Sequence, residues 1–153
     1  MTAGGLLLGP RFHRFHSRRA AHGTTIAQRV GMPHARQRLG TAGEDLACAE
    51  LERLGYRIIE RNYRSRFGEI DIVAGDAGTV VFVEVKAKTS GDFGDPVEEV
   101  TPQKMRQLAS MGEEYYSFHL PRDTQCRFDV VAVDLSLMPP KITHYKDAFR
   151  PGW

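Results

Sequence analysis

At 153 residues, 41% hydrophobic and 26% charged, the chain has the size and composition of one globular domain with its own core. No stretch approaches the run of about 18 apolar residues that a membrane span needs. Cys48 and Cys126 stand alone, without metal-ligand spacing, which points to reduced thiols and a cytoplasmic protein.

The net charge of +2 hides an asymmetry. Residues 1–38 hold seven arginines, four of the six histidines and no acid, whereas the remaining 115 residues carry a net −5. Such a flank suits a nucleic-acid arm. It equally suits an extension upstream of a true start at, for example, Met32, with a transit-like targeting segment ranked behind both. Residues 1–38 are therefore read as a basic, disordered extension or a start-site error, and 39–153 as the folded domain.

Thr41 and Glu44 have the spacing of a capping box, which predicts a helix from there through Leu54, with Gly55 at the position that ends it. Tyr56 to Tyr63 is rich in β-formers and reads as a strand from about Arg57. Two further strands, about Glu69–Ala74 and Thr79–Ala87, flank the turn-forming Gly75-Asp76-Ala77-Gly78. A polar loop then leads to Thr101-Pro102, an N-cap and first helical residue, and a helix to about Phe118. Arg127–Val133 reads as a buried strand and Ile142–Tyr145 as an edge strand. The order α-β-β-β-α-β-β predicts an α/β fold, a mixed sheet with a helix on each side.

The hairpin carries the functional argument. If a four-residue loop Asp76–Thr79 closes it, Gly75 faces Val80, Asp71 lies opposite Glu84, and Glu69 lies opposite Lys86. Side chains alternate along a strand, so Asp71, Glu84, Lys86 and Glu69 would crowd one face, with Ile70, Ile72, Val83 and Val85 on the other. Like charges opposite each other are destabilising, and a divalent cation with hard oxygen ligands resolves the conflict. Glu44 is accounted for equally well as a cap or as a ligand. Glu69 is assigned to an ion pair with Lys86, and Asp129 to a buried orienting role beside Arg127.

Glu44 on the opening helix, Asp71, and Glu84-Val85-Lys86 resemble the core of the PD-(D/E)xK nucleases, with Ile70 where that motif has proline. More narrowly, the chain resembles the YraN-type family of bacterial restriction-endonuclease-like proteins. The matching motifs are Gly40-x-x-Gly43-Glu44, Asn62-Tyr63-Arg64, Phe67-Gly68-Glu69-Ile70-Asp71 and Phe82-Val83-Glu84-Val85-Lys86. Arg127-Phe128-Asp129-Val130-Val131 and Ala148-Phe149 complete them, within Gly40–Phe149. Lys88 departs from the arginine that the family often has there; the charge is kept and bidentate phosphate gripping is not.

The resemblance implies a restriction-endonuclease-like fold, similar to archaeal Holliday-junction resolvases, and a metal-dependent site. Asp71 and Glu84, with Glu44, would hold Mg²⁺ or Mn²⁺. Lys86 would act with Asp71 and Glu84 on the attacking water and the developing charge. Arg61, Arg64 and Arg66 before the site, and Lys88 and Lys104 after it, are the cations available to phosphates. Tyr63 and Phe67 could stack on bases, but core packing is preferred for both. The expected function is an endonuclease acting on branched or structured DNA, with a homodimer admissible. The alternative is a nucleic-acid-binding or scaffolding protein that keeps the fold with little turnover.

Overall fold

The structure, a computed structural model, describes residues 33–90 and 94–151. Of the basic segment 1–38, read as a disordered arm or start-site extension, residues up to Met32 lie outside the described residues, whereas 33–38 belong to the opening helix and not to an extension.

Helix α1 (Pro33–Arg53) begins about two turns before the expected capping box. Thr41 is therefore mid-helix, and its hydroxyl donates back to the Gln37 carbonyl at 2.9 Å instead of capping an end. The usable start signal is Pro33, whose fixed φ and missing N–H suit a first helical position. Gly55, at φ 90°, closes the helix as expected, and the Tyr56 N–H returns to the Leu51 carbonyl at 2.9 Å.

Strands β1 (Arg57–Ser65), β2 (Gly68–Asp76) and β3 (Thr79–Lys88) form an antiparallel meander. The β2–β3 turn is tighter than expected: Asp76 pairs with Thr79, leaving a two-residue loop of Ala77 (φ 47°) and Gly78 (φ 92°). Two positive φ values are what a twisted hairpin requires, and the register through Gly75↔Val80 is the one expected. Helix α2 (Pro102–His119) follows, with the Thr101 hydroxyl accepting from the Lys104 N–H. It carries the chain across to β4 (Cys126–Asp134), which runs parallel to β3, and β5 (Lys141–Phe149) closes the far edge antiparallel.

The sheet order is β1-β2-β3-β4-β5, and each face has its own core. Ala47, Cys48 and Leu51 of α1 pack on Ile72, Ala74, Val81, Val83, Val131 and Val133. Leu108, Met111 and Tyr115 of α2 pack on Ile70, Val73, Val80, Phe82, Phe128 and Val130. Each helix approaches closely at a glycine. A Cβ on Gly43 would lie 2.5 Å from the Ala87 Cβ, and one on Gly112 would lie 2.8 Å from Phe128 Cζ. The two contacts fix the depth at which the helices lie on the sheet. Both thiols are free, and burial raises both, Cys126 to about 11.

Candidate metal centre

The paired ladder between β2 and β3 stops at Ile72↔Val83, one residue short of Asp71 and Glu84. There the strands part, and the Val85 N–H, which would otherwise lack a partner, donates to Asp71 Oδ2 at 2.7 Å. Alternation breaks at the same point: Ile70 joins the α2-side core and Ile72 the α1-side core. The expected opposition of Glu69 to Lys86 is therefore not formed. A face assignment carried past the end of a ladder fails where one irregularity inverts it.

Glu69 meets the α1 side of the sheet instead. Carboxylate oxygens of Glu44, Glu69 and Asp71 all lie within 4.8 Å of one another. The Asn62 amide holds two of them, donating to Glu44 Oε2 at 2.9 Å and to Glu69 Oε1 at 3.1 Å. Asn62 sits at φ 53°, a left-handed conformation that asparagine tolerates better than most residues. Arg61 adds positive charge on Glu44, 3.7 Å from Oε2, while bonding Asp45 at 2.7 Å. Glu44 is thus no cap: it lies three turns into α1 and is aimed at the sheet's acidic group.

Glu84 shares the α2-side face with Phe82 and is only 5% exposed. Lys86 Nζ lies 3.2 Å from its Oε1, and Lys104 Nζ, reaching over from α2, lies 3.2 Å from its Oε2. The Lys104 contact supplies counter-charge without hydrogen-bond geometry, so Oε2 stays a buried oxygen with no hydrogen bond. Lys104 was expected as a phosphate-gripping cation; its position on Glu84 makes it part of the acidic site.

Asp71 stands between Glu84 and the Glu44–Glu69 pair. Burial, reinforced by the Glu84 charge, pushes its carboxyl up to about 7, against the opposing pull of the Val85 N–H and Lys104. The arrangement stores charge repulsion, which a hard divalent cation would relieve by replacing carboxylate–carboxylate contacts with cation–oxygen ones. All-oxygen donors of this kind suit hard divalent cations, Mg²⁺, Mn²⁺ and Ca²⁺ alike.

The other expected phosphate cations are mostly engaged internally. Arg61 serves Asp45 and Glu44, and Lys88 is ion-paired with Glu99. Arg64 bonds Glu69 at 2.6 Å and Arg66 lies 4.0 Å from Glu114, yet both side chains are 80% exposed. Asp129 has the orienting role expected of it. Fully buried on β4, it accepts from Arg127 Nε at 3.0 Å and from the Asp147 N–H at 2.9 Å, with His144 Nε2 at 2.8 Å. These partners hold its carboxyl below the usual range despite burial.

Comparison with known proteins agrees with the motifs. Residues 43–133 match the model of the uncharacterised protein family UPF0102. The chain belongs to this family. It is the YraN-type, restriction-endonuclease-like family that the motifs resemble. Among its relatives, a UPF0102 protein of Geobacter sulfurreducens is 48% identical over 118 residues, covering 76% of this chain and 92% of its own length. One from Syntrophus aciditrophicus is 46% identical over 113 residues, 74% of this chain and 89% of that protein. Another, from Persephonella marina, is 44% identical over 110 residues, 72% of this chain and 91% of that protein. Among the described residues, no helix is long and apolar enough to cross a membrane.

Proposed function

We propose that this UPF0102 protein is a divalent-metal-dependent endonuclease acting on branched or structured DNA. The observation that carries the reading is the crowding of Asp71, Glu44 and Glu69 within 4.8 Å, beside a buried Glu84 whose Oε2 receives no hydrogen bond. Part-buried carboxylates repel one another and cost stability, so a fold that gathers three of them beside the buried Glu84 gains from a cation there. Asp71, Glu84 and Glu44 would hold Mg²⁺ or Mn²⁺, with Glu69 near enough to join them. When bound, the ion would supply charge neutralisation at the phosphorus oxygens and an activated water.

The chain's own side chains do the rest. Lys86, held by Glu84, presents an ammonium that orients the attacking water or takes up negative charge developing on the phosphate. Lys104 supplies positive charge to the other Glu84 oxygen, Oε2, from α2. The Val85 N–H fixes Asp71 through Oδ2, and Asn62 fixes Glu44 and Glu69, so the donors are pre-oriented.

A second reading, a binding or scaffolding protein without turnover, has one observation in its favour. Glu84 has two lysines, Glu69 has Arg64, and Glu44 has Arg61 and Asn62, so much of the negative charge is compensated within the chain. Cleavage of a branched-DNA panel with Mg²⁺ or Mn²⁺ by wild type, Glu84→Gln and Lys86→Ala separates the two. Cleavage lost in both variants supports the nuclease. Wild type that binds junctions yet leaves them intact with either ion supports the second reading.

A further inference from the structure

The β1–β2 turn differs in surface chemistry from the β2–β3 turn at the other end of the hairpin. Ser65 pairs with Gly68, leaving Arg66 and Phe67 as the loop. Phe67 belongs to neither core and is 37% exposed, and the Arg66 guanidinium lies over its ring at 4.7 Å from the centroid. Tyr63, grouped with it in the sequence reading, behaves oppositely: its ring packs edge-on against Tyr115 and its hydroxyl donates to Glu114 Oε1. Arg64 and Arg66, both shortly before Phe67, have side chains 80% exposed.

The turn is held in shape. The Phe67 N–H donates to Ser65 Oγ at 3.0 Å, the Arg66 guanidinium leans toward Glu114 of α2, and a Cβ on Gly68 would touch Met111 Sδ at 3.5 Å. An exposed ring on a braced turn, with one guanidinium over it and a second solvent-facing one two residues earlier, combines a base-stacking platform with phosphate contacts. The same hairpin end carries Glu69 of the acidic group, which Arg64 bonds at 2.6 Å. Along β2, the four-residue step from Phe67 to Asp71 is about 13 Å at roughly 3.3 Å per residue. That is the length of about four stacked nucleotides at 3.4 Å each.

We infer that the β1–β2 turn engages an unpaired stretch of the nucleic-acid strand, with Phe67 stacking on a base and Arg64 and Arg66 holding the flanking phosphates. The inference rests on the nuclease reading and deepens it: the substrate is DNA with unpaired bases about four nucleotides from the scissile phosphate. A continuous duplex offers no free base face to Phe67.

The test is binding, measured by fluorescence anisotropy in EDTA so that cleavage plays no part. Full-length wild type, Phe67→Leu, Phe67→Trp and Arg66→Gln are titrated with a junction carrying unpaired bases and with a duplex of equal length. Wild type should prefer the junction. Phe67→Leu should bind the junction roughly tenfold more weakly while its duplex affinity stays unchanged, and Phe67→Trp should restore the preference. Arg66→Gln should weaken both, with a salt dependence shallower by about one unit of slope. Wild-type-like junction binding by Phe67→Leu, or a Trp variant as weak as the Leu one, overturns the inference and leaves the nuclease reading standing. Wild type that binds neither substrate overturns both.

Discussion

Replacing Asp71 by asparagine should stabilise the metal-free protein, and by an amount that depends on pH. In the folded chain the carboxyl is raised from 3.8 to about 7 by burial and by Glu84. For an acid, a raised folded pKa means that the native state keeps a proton the unfolded chain has already lost. Stability therefore falls as pH rises from about 4 through 7 and is flat above that, because the native state binds more protons throughout the interval. At 1.36 kcal/mol per pKa unit, the full shift corresponds to about 4 kcal/mol. Solvent reaches part of this side chain, and relaxation and screening reduce the figure to roughly 1–2 kcal/mol. Asparagine removes the charge and still offers an oxygen to the Val85 N–H.

Urea denaturation in EDTA at several pH values measures this directly. The Asn variant should exceed wild type by about 1–2 kcal/mol at pH 8, with the difference closing towards pH 4. Taking the difference between the two proteins cancels Asp129, whose lowered carboxyl contributes stability that is lost as pH falls through its folded pKa. With excess Mn²⁺ the order should reverse, since a ligand that binds only the native state stabilises the protein that binds it better. An Asn variant less stable than wild type at pH 8 without metal, or a difference independent of pH, would refute the view of Asp71 as a destabilising carboxylate held for a cation.

Mn²⁺ affinity of the wild type, followed by calorimetric titration, should rise with pH up to about 7, because binding must displace the Asp71 proton. Glu44→Gln should change the thermal midpoint little, since Glu44 caps nothing, yet weaken Mn²⁺ binding. A loss of stability on the scale of a helix cap, about 1 kcal/mol, would return Glu44 to a structural role. Lys86→Met and Lys104→Met should each be mild alone, but the double variant should lose about 3 kcal/mol in denaturant titrations, because Glu84 is then a buried charge with neither lysine. Asp129→Ala should cost about 3 kcal/mol by leaving the Arg127 guanidinium without its buried partner, while Mn²⁺ affinity stays unchanged.

The fold was legible in the sequence where signals were local. Asp76-Ala77-Gly78-Thr79 dictates a tight hairpin, and apolar alternation on both sides of it sets the register as far as Ile72↔Val83. Thr101-Pro102 announces α2, and Gly55 ends α1. The start of α1 was misread because Thr41-x-x-Glu44 has capping-box spacing, while Pro33 carries the better signal. What the sequence could not reveal is where the β2–β3 ladder stops. That depends on Asp71 taking the Val85 N–H, a tertiary fact, and with it went the face of Glu69. The i, i+2 spacing of Glu69 and Asp71 on one strand does predict their proximity, and their carboxylate oxygens lie within 4.8 Å. Asn62 was visible only as part of a motif, although its bridging amide helps to organise the site.

The parting of β2 and β3 links these observations. Had the ladder continued, Asp71 and Glu84 would have been a like-charge cross-strand pair, and Glu69 would have been neutralised by Lys86 on the same face. The inversion at Asp71 divides the acids between two sides, with Glu84 and its lysines towards α2 and Glu69 with Glu44 towards α1. Asp71 alone is shared, lying in the gap between strands where the sheet offers an N–H instead of a full ladder partner. A cation held there could draw on oxygens from α1, β2 and β3 together, whereas the regular hairpin would have offered only one face of two strands. The structural cost is confined to a few residues at one end of the sheet. Beyond it, β3 and β4 continue as an unbroken parallel pair from Val80 to Lys88. That division of labour, an intact central pair beside an interrupted one, lets the acids of α1, β2 and β3 approach Asp71 from both sides while the sheet that carries them stays whole.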